Sequence, residues 1–195
     1  MNRSPELGFA SILAALAGPG VAIAEAENLV PDEPGLYAIY GSAEVWDELE
    51  LGRIPDARPL YVGKAESSLR DRDLRQHFAN GRTGSSTVRR SFAALLHDRL
   101  GLRGMPRNPL KPAYFANYGL SATDDAKLTD WMSRNLSIAT WSFAGSDPLA
   151  DLEASVMEKW KPPLNLAGVV TPWSRMVGTG RALMAAEARA WTRRG

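Results

Sequence analysis

Three stretches of the chain have the β-prone pattern of short strands. Residues 35–40 alternate as a half-buried strand does, and residues 59–62 form a second strand that ends at Gly63. Because these two strands lie close together in the sequence, we expect them to pair antiparallel. A third strand is predicted at residues 137–143.

Helical periodicity and capping residues predict helices between and around these strands. Ser4 and Pro5 begin an N-terminal helix with apolar residues at helical spacing, which ends at Gly18. The other predicted helices cover about residues 67–79, 86–100, 123–136, 148–161 and 178–192. A mixture of antiparallel strands and helices in this order favours an α+β fold.

The chain is long enough for one domain with a substantial core and short for two. It has 195 residues, of which 45% are hydrophobic and 23% charged, as in ordinary globular proteins. We expect a central domain at residues 31–168 with an insert at about 101–123. Residues 1–30 are expected to be a helical extension packed on this domain, and residues 169–195 a helical tail.

The N-terminal segment resembles both a helix and a signal peptide. Residues 7–24 carry no charge and end in small residues, which is typical of a secretory signal. However, Glu6 lies where a signal is basic, and Gly18-Pro19-Gly20 interrupts the apolar run. The same interruption argues against a membrane span. We therefore expect a packed helix, no membrane insertion and a cytoplasmic location.

Composition excludes several kinds of chemistry. The chain has no cysteine, so it cannot contain a disulfide, a thiolate zinc site or a cysteine nucleophile. Its two histidines, His77 and His97, are too few for a multi-histidine metal centre. Any metal site must therefore rely on carboxylates, which suit hard cations such as magnesium.

The net charge of +1 conceals an uneven distribution along the chain. Residues 1–51 carry nine acidic residues and one basic residue, whereas residues 52–111 carry thirteen basic and five acidic ones. A basic block of this size is typical of a nucleic-acid-binding surface. It could equally serve to pair with the acidic N-terminal third.

One carboxylate interrupts the apolar stripe of the helix at 148–161. The stripe is formed by Leu149, Leu152, Val156, Met157 and Trp160. Glu153 falls near the middle of this arc, whereas Asp151 and Glu158 fall on the opposite side. Burial of a carboxylate is costly unless it is paired, hydrogen-bonded or bound to a metal. Glu153 is therefore either a structural glutamate with such a partner or a functional ligand.

A series of short motifs runs along the central domain. It consists of GLY at residues 35–37, YVG at residues 61–63, Lys64, a basic helix with His77, Leu152-Glu153 and Pro163-Leu164-Asn165. In its order this series resembles the GIY-YIG nuclease superfamily, with leucine and valine in place of two isoleucines. The resemblance covers about residues 33–167. It implies a three-stranded antiparallel sheet flanked by helices and a metal-dependent cut in a DNA strand.

The resemblance also implies roles for individual residues. Glu153 matches the family's metal-ligating glutamate, which implies one Mg²⁺ or Mn²⁺ ion that polarises the scissile phosphate. Tyr37 and Tyr61 match the two tyrosines, one of which helps to position or deprotonate the attacking water.

Three further residues match supporting positions of the family. Lys64 matches a lysine that supplies positive charge next to a tyrosine, and His77 matches a histidine that orients a hydroxyl or a water. Asn165 matches an asparagine whose role is mainly architectural.

The family also places an arginine one helical turn before the histidine, where this chain has Asp73. The nearby arginines are Arg70, Arg72 and Arg75. We assign the role to Arg72, which requires one additional residue in the helix. Its guanidinium would neutralise charge that develops on the phosphate.

The expected partner is DNA, either duplex or branched, and RNA stays an alternative. Six basic residues are expected to contact the phosphate backbone: Arg82, Arg89, Arg90, Arg103, Arg107 and Lys111. Trp173 and Trp191 could form the surface of a homodimer.

Two other classes of function compete with a metal-dependent DNA endonuclease. The first is a catalytically inactive nucleic-acid-binding module of the same fold, which Asp73 favours. The second is a protein-interaction domain, which the basic block at residues 52–111 disfavours. Restriction, repair and mobile-element roles of an active nuclease all agree with this sequence.

Overall fold

The computed structural model describes residues 5–53, 56–71, 77–108, 110, 115–143 and 148–192. These residues contain the strands β1 (Val21–Ala22), β2 (Gly35–Gly41), β3 (Tyr61–Ala65) and β4 (Leu136–Ser142). The strands form one antiparallel sheet in the order β1-β4-β2-β3. The edge strand β3 therefore pairs with β2 along one side only.

The expected three-stranded sheet is corrected to four strands. The strands β2, β3 and β4 correspond to the three predicted ones, although β3 begins and ends later than residues 59–62. The additional strand is β1, whose Val21 and Ala22 pair with Ile138 and Ser137 of β4. Two residues are too few to show a strand period, so the sequence pattern does not reveal β1.

Seven α-helices lie within the described residues. They are α1 (Pro5–Leu16), α2 (Ala43–Glu48), α3 (Thr87–Leu95), α4 (His97–Leu100), α5 (Ala122–Asn135), α6 (Leu149–Trp160) and α7 (Ser174–Thr192). The short α2 lies between the first two predicted strands, where the sequence predicted no helix, and Ser42 caps it by accepting a hydrogen bond from the Val45 amide. Ser121 caps α5, which begins at Ala122, one residue before the predicted helix at 123–136. The helix predicted at 67–79 falls partly on residues 72–76, outside the described residues.

Alternate residues of β2 contribute to two different hydrophobic clusters. Tyr37 and Ile39 belong to the larger cluster, which β2 forms with α3, α5 and α7. Leu36 and Ala38 belong to the smaller cluster, which contains side chains of α1 and α6. The apolar stripe predicted for α6 packs in this second cluster. Both faces of the sheet are therefore covered by helices, as the period of two in a strand requires.

The first helix is attached to the sheet by packing and by one hydrogen bond. Ile12 and Leu16 of α1 are buried in the smaller cluster. The Tyr40 hydroxyl donates a hydrogen bond to the Leu16 carbonyl at 2.8 Å. Burial raises the pKa of Tyr40 to about 12. This tyrosine therefore helps to attach α1 to the sheet, and it remains protonated at neutral pH.

The segment after residue 168 covers part of the larger cluster. Trp173 packs edge-on against Trp46 with ring centroids 5.7 Å apart, and its Nε1 donates to the Leu51 carbonyl. Trp173 is thus an intramolecular packing residue, whereas Trp191 is 44% exposed. Of the two tryptophans expected at a dimer surface, Trp191 alone keeps a large exposed area. Among the described helices, α7 included, none is long and apolar enough to cross a bilayer.

A buried ion pair joins α3 to α5. The Arg89 side chain is fully buried, and its Nη2 donates to the Asp125 carboxylate at 2.9 Å. Further donations reach the Thr83 hydroxyl, the His77 carbonyl and the Thr129 hydroxyl. Burial lowers the pKa of Arg89, and the Asp125 carboxylate opposes that shift. The guanidinium therefore acts as an internal tie between α3, α5 and the backbone at His77.

Removal of this guanidinium is expected to destabilise the fold strongly. In Arg89→Ala the buried Asp125 carboxylate loses its cationic partner, so the free energy of unfolding should fall by about 3–5 kcal/mol. Arg134→Ala is the matched control, because its ion pair with Asp130 is exposed and should contribute less than about 1 kcal/mol. Urea denaturation of both variants checks this. Equal losses for the two arginines would contradict the role assigned to Arg89.

Candidate active site

The register of the sheet places Tyr37 directly against β3. Tyr37 of β2 pairs with Gly63 of β3, and Ile39 pairs with Tyr61, so both tyrosines lie on one face. Their ring centroids are 6.1 Å apart. A Cβ atom on Gly63 would lie 2.3 Å from the Tyr37 hydroxyl oxygen. The glycine of the YVG motif is thus required because the Tyr37 ring lies on the backbone of β3.

His77 lies beneath the tyrosines and is joined to Tyr37. The Tyr37 hydroxyl oxygen and His77 Nε2 are 2.7 Å apart, at hydrogen-bond distance. The other ring nitrogen of His77 lies 2.7 Å from the Ser86 hydroxyl oxygen. Tyr37 is fully buried as a residue and His77 is 2% exposed. The tyrosine hydroxyl is therefore held from behind by a histidine that bulk water does not reach.

One cavity contains most of the residues that the sequence analysis predicts to be catalytic. Its volume is about 410 Å³ and its lining includes Tyr37, Tyr61, Lys64 and Glu153. Tyr37 and Tyr61 contribute from one face of the sheet, and Lys64 and Glu153 contribute from β3 and α6. The half-buried position of Glu153 agrees with its place on the apolar stripe of α6. The structure thus brings together four candidates that are up to 116 residues apart in the sequence.

Several residues of this cavity were not predicted. Glu66, Ser67, Ser68 and Asp71 also line it, immediately after β3. Glu66 accepts a hydrogen bond from Lys64 Nζ at 2.8 Å. The only sequence signal for them was the run of polar residues after Lys64, which fits a helix cap equally well. Ser68 does act as such a cap, because its hydroxyl accepts a hydrogen bond from the Asp71 amide.

The donor set of the cavity suits a hard cation. The residues that line it include Glu66, Asp71 and Glu153, which have carboxylates, and Tyr37 and Tyr61, which have hydroxyls. Oxygen donors of this kind are the ligands that Mg²⁺ and Mn²⁺ prefer. Within the described residues, no three acidic or histidine side chains are close enough to hold a metal by themselves. The site therefore fits an ion held by one carboxylate together with water and substrate oxygens.

Asn165 completes the free edge of β3. Its Oδ1 accepts from the Val62 amide at 2.9 Å, and its Nδ2 donates to the Val62 carbonyl at 2.8 Å. The Leu164 amide also donates to the Leu60 carbonyl at 3.0 Å. These hydrogen bonds replace those that a further strand would make with the backbone of β3. They hold in place the segment between Tyr61 and Lys64.

Of the six basic residues proposed to bind DNA, the five that the structure describes do not form one surface. Arg82 and Arg107 are exposed and line a second cavity of about 340 Å³ beside the turn at residues 81–85. Arg103 is exposed, and it pairs with Glu187 at 3.6 Å. Arg72 and Lys111 lie outside the described residues.

For Arg89 and Arg90 the expectation of a phosphate contact is corrected. Arg89 is fully buried in the ion pair with Asp125, and Arg90 is 6% exposed, with Nη1 donating to the Gly84 carbonyl at 2.9 Å. Burial and the nearby charge of Arg181 lower the pKa of Arg90 to about 10. The reason is that α3 is enclosed by other elements and has almost no exposed face. A helix that is buried on all sides cannot present its arginines to a ligand.

A comparison with protein families agrees with this arrangement. A family model described as the GIY-YIG catalytic domain matches residues 35–174, which is most of the chain. The chain therefore belongs to the GIY-YIG family of nucleases, whose members generally depend on a divalent metal ion. No curated protein and no solved structure gave a significant match.

The contact between Tyr37 and Gly63 leads to a prediction about stability. Gly63→Ala should displace the Tyr37 ring and lower the free energy of unfolding by about 1–3 kcal/mol, because a well-packed site cannot absorb a methyl group. Gly178→Ala is the control, since nothing lies within 4 Å of that position in α7. Chemical denaturation measures both variants. A Gly63→Ala protein as stable as the wild type would contradict this packing.

The hydrogen bonds of Asn165 lead to a second prediction. Asn165→Ala leaves the N–H and C=O groups of Val62 without these partners, so it should cost about 2 kcal/mol or more of unfolding free energy. Asn28→Ala removes an exposed asparagine and should change stability by less than about 0.5 kcal/mol. Thermal unfolding of the two variants separates these effects. Similar melting temperatures would show that the bonds to β3 contribute little.

Proposed function

We propose that this protein is a metal-dependent endonuclease that hydrolyses DNA phosphodiester bonds. The observation that carries the proposal is a single cavity lined by Tyr37, Tyr61, Lys64 and Glu153. Membership of a nuclease family supports the reaction class, and the basic block at residues 52–111 supports a nucleic-acid substrate.

Glu153 is the residue proposed to hold the metal ion. It is the carboxylate of the cavity that lies on α6 and that matches the family's metal ligand. A bound Mg²⁺ or Mn²⁺ would supply charge neutralisation at the phosphate and at the leaving oxygen. Glu66 and Asp71 line the same cavity and could hold water molecules of the ion. The other steps of the reaction, positioning of the water and transfer of its proton, are assigned to side chains of the protein.

Tyr37 and Tyr61 are proposed to position the attacking water and to receive its proton. An unperturbed tyrosine titrates near pH ~10, so the phenolate form needs local stabilisation. The Lys64 ammonium at the cavity and the His77 ring behind Tyr37 are the groups suited to provide it. Arg72 is proposed to neutralise the charge that develops on the phosphate. Asn165 would act indirectly by fixing β3.

Arg82 and Arg107 are the exposed residues proposed to contact the phosphate backbone beside the site. They line the cavity at residues 81–85, which lies a few residues beyond His77 in the sequence. Their contribution should depend on salt, because each phosphate contact releases counterions.

A plasmid-nicking assay tests the proposed function. Wild-type protein with Mg²⁺ or Mn²⁺ should nick supercoiled DNA, and a chelator should abolish nicking. Glu153→Ala should lower the rate by at least about 10²-fold, because it removes the metal ligand. Glu158→Ala is the matched control, since Glu158 is an exposed glutamate of the same helix and should leave the rate unchanged.

The outcomes of this assay separate the alternatives. Cleavage that survives Glu153→Ala would contradict the site assignment. DNA binding that weakens with salt, without cleavage on plasmid, flap or single-stranded DNA, would favour an inactive binding module. Cleavage of RNA in preference to DNA would contradict the proposed DNA substrate but would agree with the proposed hydrolysis of phosphodiester bonds.

A further inference from the structure

The ring nitrogen of His77 that faces away from Tyr37 makes a hydrogen bond that has no role in the reaction proposed above. Ser86 is fully buried, and its hydroxyl oxygen lies 2.7 Å from His77 Nδ1. The same oxygen accepts a hydrogen bond from the Arg89 amide at 3.2 Å and thereby caps α3. Ser86 thus links the beginning of a buried helix to the histidine behind Tyr37.

The single proton of this hydroxyl decides how the histidine is protonated. A serine hydroxyl can donate one hydrogen bond and accept others. The Arg89 amide is a donor, so within the described part of the chain His77 Nδ1 is the remaining neighbour of the Ser86 oxygen. If Nδ1 carried a proton, the buried Ser86 proton would have no acceptor, which is costly. The hydroxyl therefore donates to an unprotonated Nδ1.

We propose that Ser86 is a positioning residue that holds His77 in the tautomer protonated at Nε2. In this tautomer His77 donates its Nε2 proton to the Tyr37 oxygen across the 2.7 Å contact. The assignment of the tautomer stands on the hydrogen bonds alone. Its consequence for catalysis rests on the proposed function.

The direction of this hydrogen bond decides what Tyr37 can do. With His77 as the donor, the Tyr37 hydroxyl proton does not point at His77, and the Tyr37 oxygen accepts the histidine N–H instead. Donation of an N–H also favours the phenolate over the phenol. In the opposite tautomer Tyr37 would donate its own proton to Nε2, and its oxygen would lose this stabilisation of the phenolate. Ser86 thus selects the arrangement in which the Tyr37 oxygen is better suited to receive a proton, as the proposed function requires.

Ser86 is held in place by structural contacts that take no part in the proposed reaction. Its cap position is fixed by α3, and α3 is tied to α5 by the ion pair between Arg89 and Asp125. Arg89 Nη1 also donates to the His77 carbonyl at 3.0 Å. Both partners of the Ser86–His77 bond are therefore attached to Arg89, Ser86 through the Arg89 backbone amide and the His77 carbonyl through the guanidinium.

The tautomer can be measured directly in the wild-type protein. Long-range ¹H–¹⁵N correlation spectra of ¹⁵N-labelled protein distinguish a protonated from an unprotonated ring nitrogen. His97→Gln leaves His77 as the only histidine and assigns its signals. We expect Nε2 to be protonated and Nδ1 to be unprotonated at neutral pH. A protonated Nδ1 would overturn the proposal, and neither DNA nor metal is needed for this measurement.

Substitutions at Ser86 test the consequence for cleavage. Ser86→Thr keeps both the helix cap and the hydroxyl donor, so it should retain the tautomer and most of the cleavage rate. Ser86→Asp keeps a capping acceptor but cannot donate, so Nδ1 should become protonated. Its nicking rate should fall by about 10²-fold, the lower end of what acid–base catalysis contributes. A folded Ser86→Asp protein with the wild-type tautomer or the wild-type rate would overturn the proposal.

The tautomer of His77 and the activity of the protein can be tested separately. Melting temperatures of both variants establish that they are folded, and if Ser86→Asp does not fold, the wild-type spectrum still decides the tautomer. A protein with protonated Nε2 that does not cleave any nucleic acid would contradict the proposed function and leave the tautomer assignment intact. A cleaving protein with protonated Nδ1 would contradict the role of Ser86 and leave the function intact.

Discussion

The buried guanidinium of Arg89 is the interaction on which the candidate site depends. A desolvated cation must have its donors satisfied, and Arg89 meets this requirement through Asp125, Thr83 and the His77 carbonyl. These bonds set the position of α3 relative to α5 and fix the backbone at His77. The histidine ring is then placed between Ser86 and Tyr37. The hydrogen bonds that the buried Arg89 guanidinium requires thus help to set the position of the Tyr37 hydroxyl, through His77.

The edge strand β3 imposes the second constraint. It has a neighbouring strand on one side only, yet it carries Tyr61, Gly63 and Lys64. The Asn165 amide satisfies the other side, and the Tyr37 ring occupies the space that the Gly63 side chain would fill. Both contacts join residues that are distant in sequence. The strand β3 is thereby held on both sides along the cavity that the tyrosines and Glu153 line.

Charge along the sequence and charge at the surface turned out to be different properties. The basic block at residues 52–111 contains Arg89 and Arg90, which are buried, and Arg103, which pairs with Glu187. Arg82 and Arg107 remain exposed and lie together at one cavity. A count of charges cannot distinguish these cases, because burial depends on how many elements enclose a helix. In α3 almost every residue is enclosed, although its sequence contains two adjacent arginines.

Local patterns in the sequence predicted the family, three of the four strands and most of the helices, and they suggested Tyr37, Tyr61, Lys64 and Glu153, which line one cavity in the structure. These follow from local patterns, since strand alternation, helix caps and short motifs are properties of neighbouring residues. The short strand β1, the placement of Glu66 and Asp71 at the cavity and the burial of Arg89 became visible only in the folded structure. The same holds for the contact of Ser86 with His77, since the sequence indicates Ser86 only as a helix cap. Each of these depends on which distant segments pack together, and no local pattern records that choice.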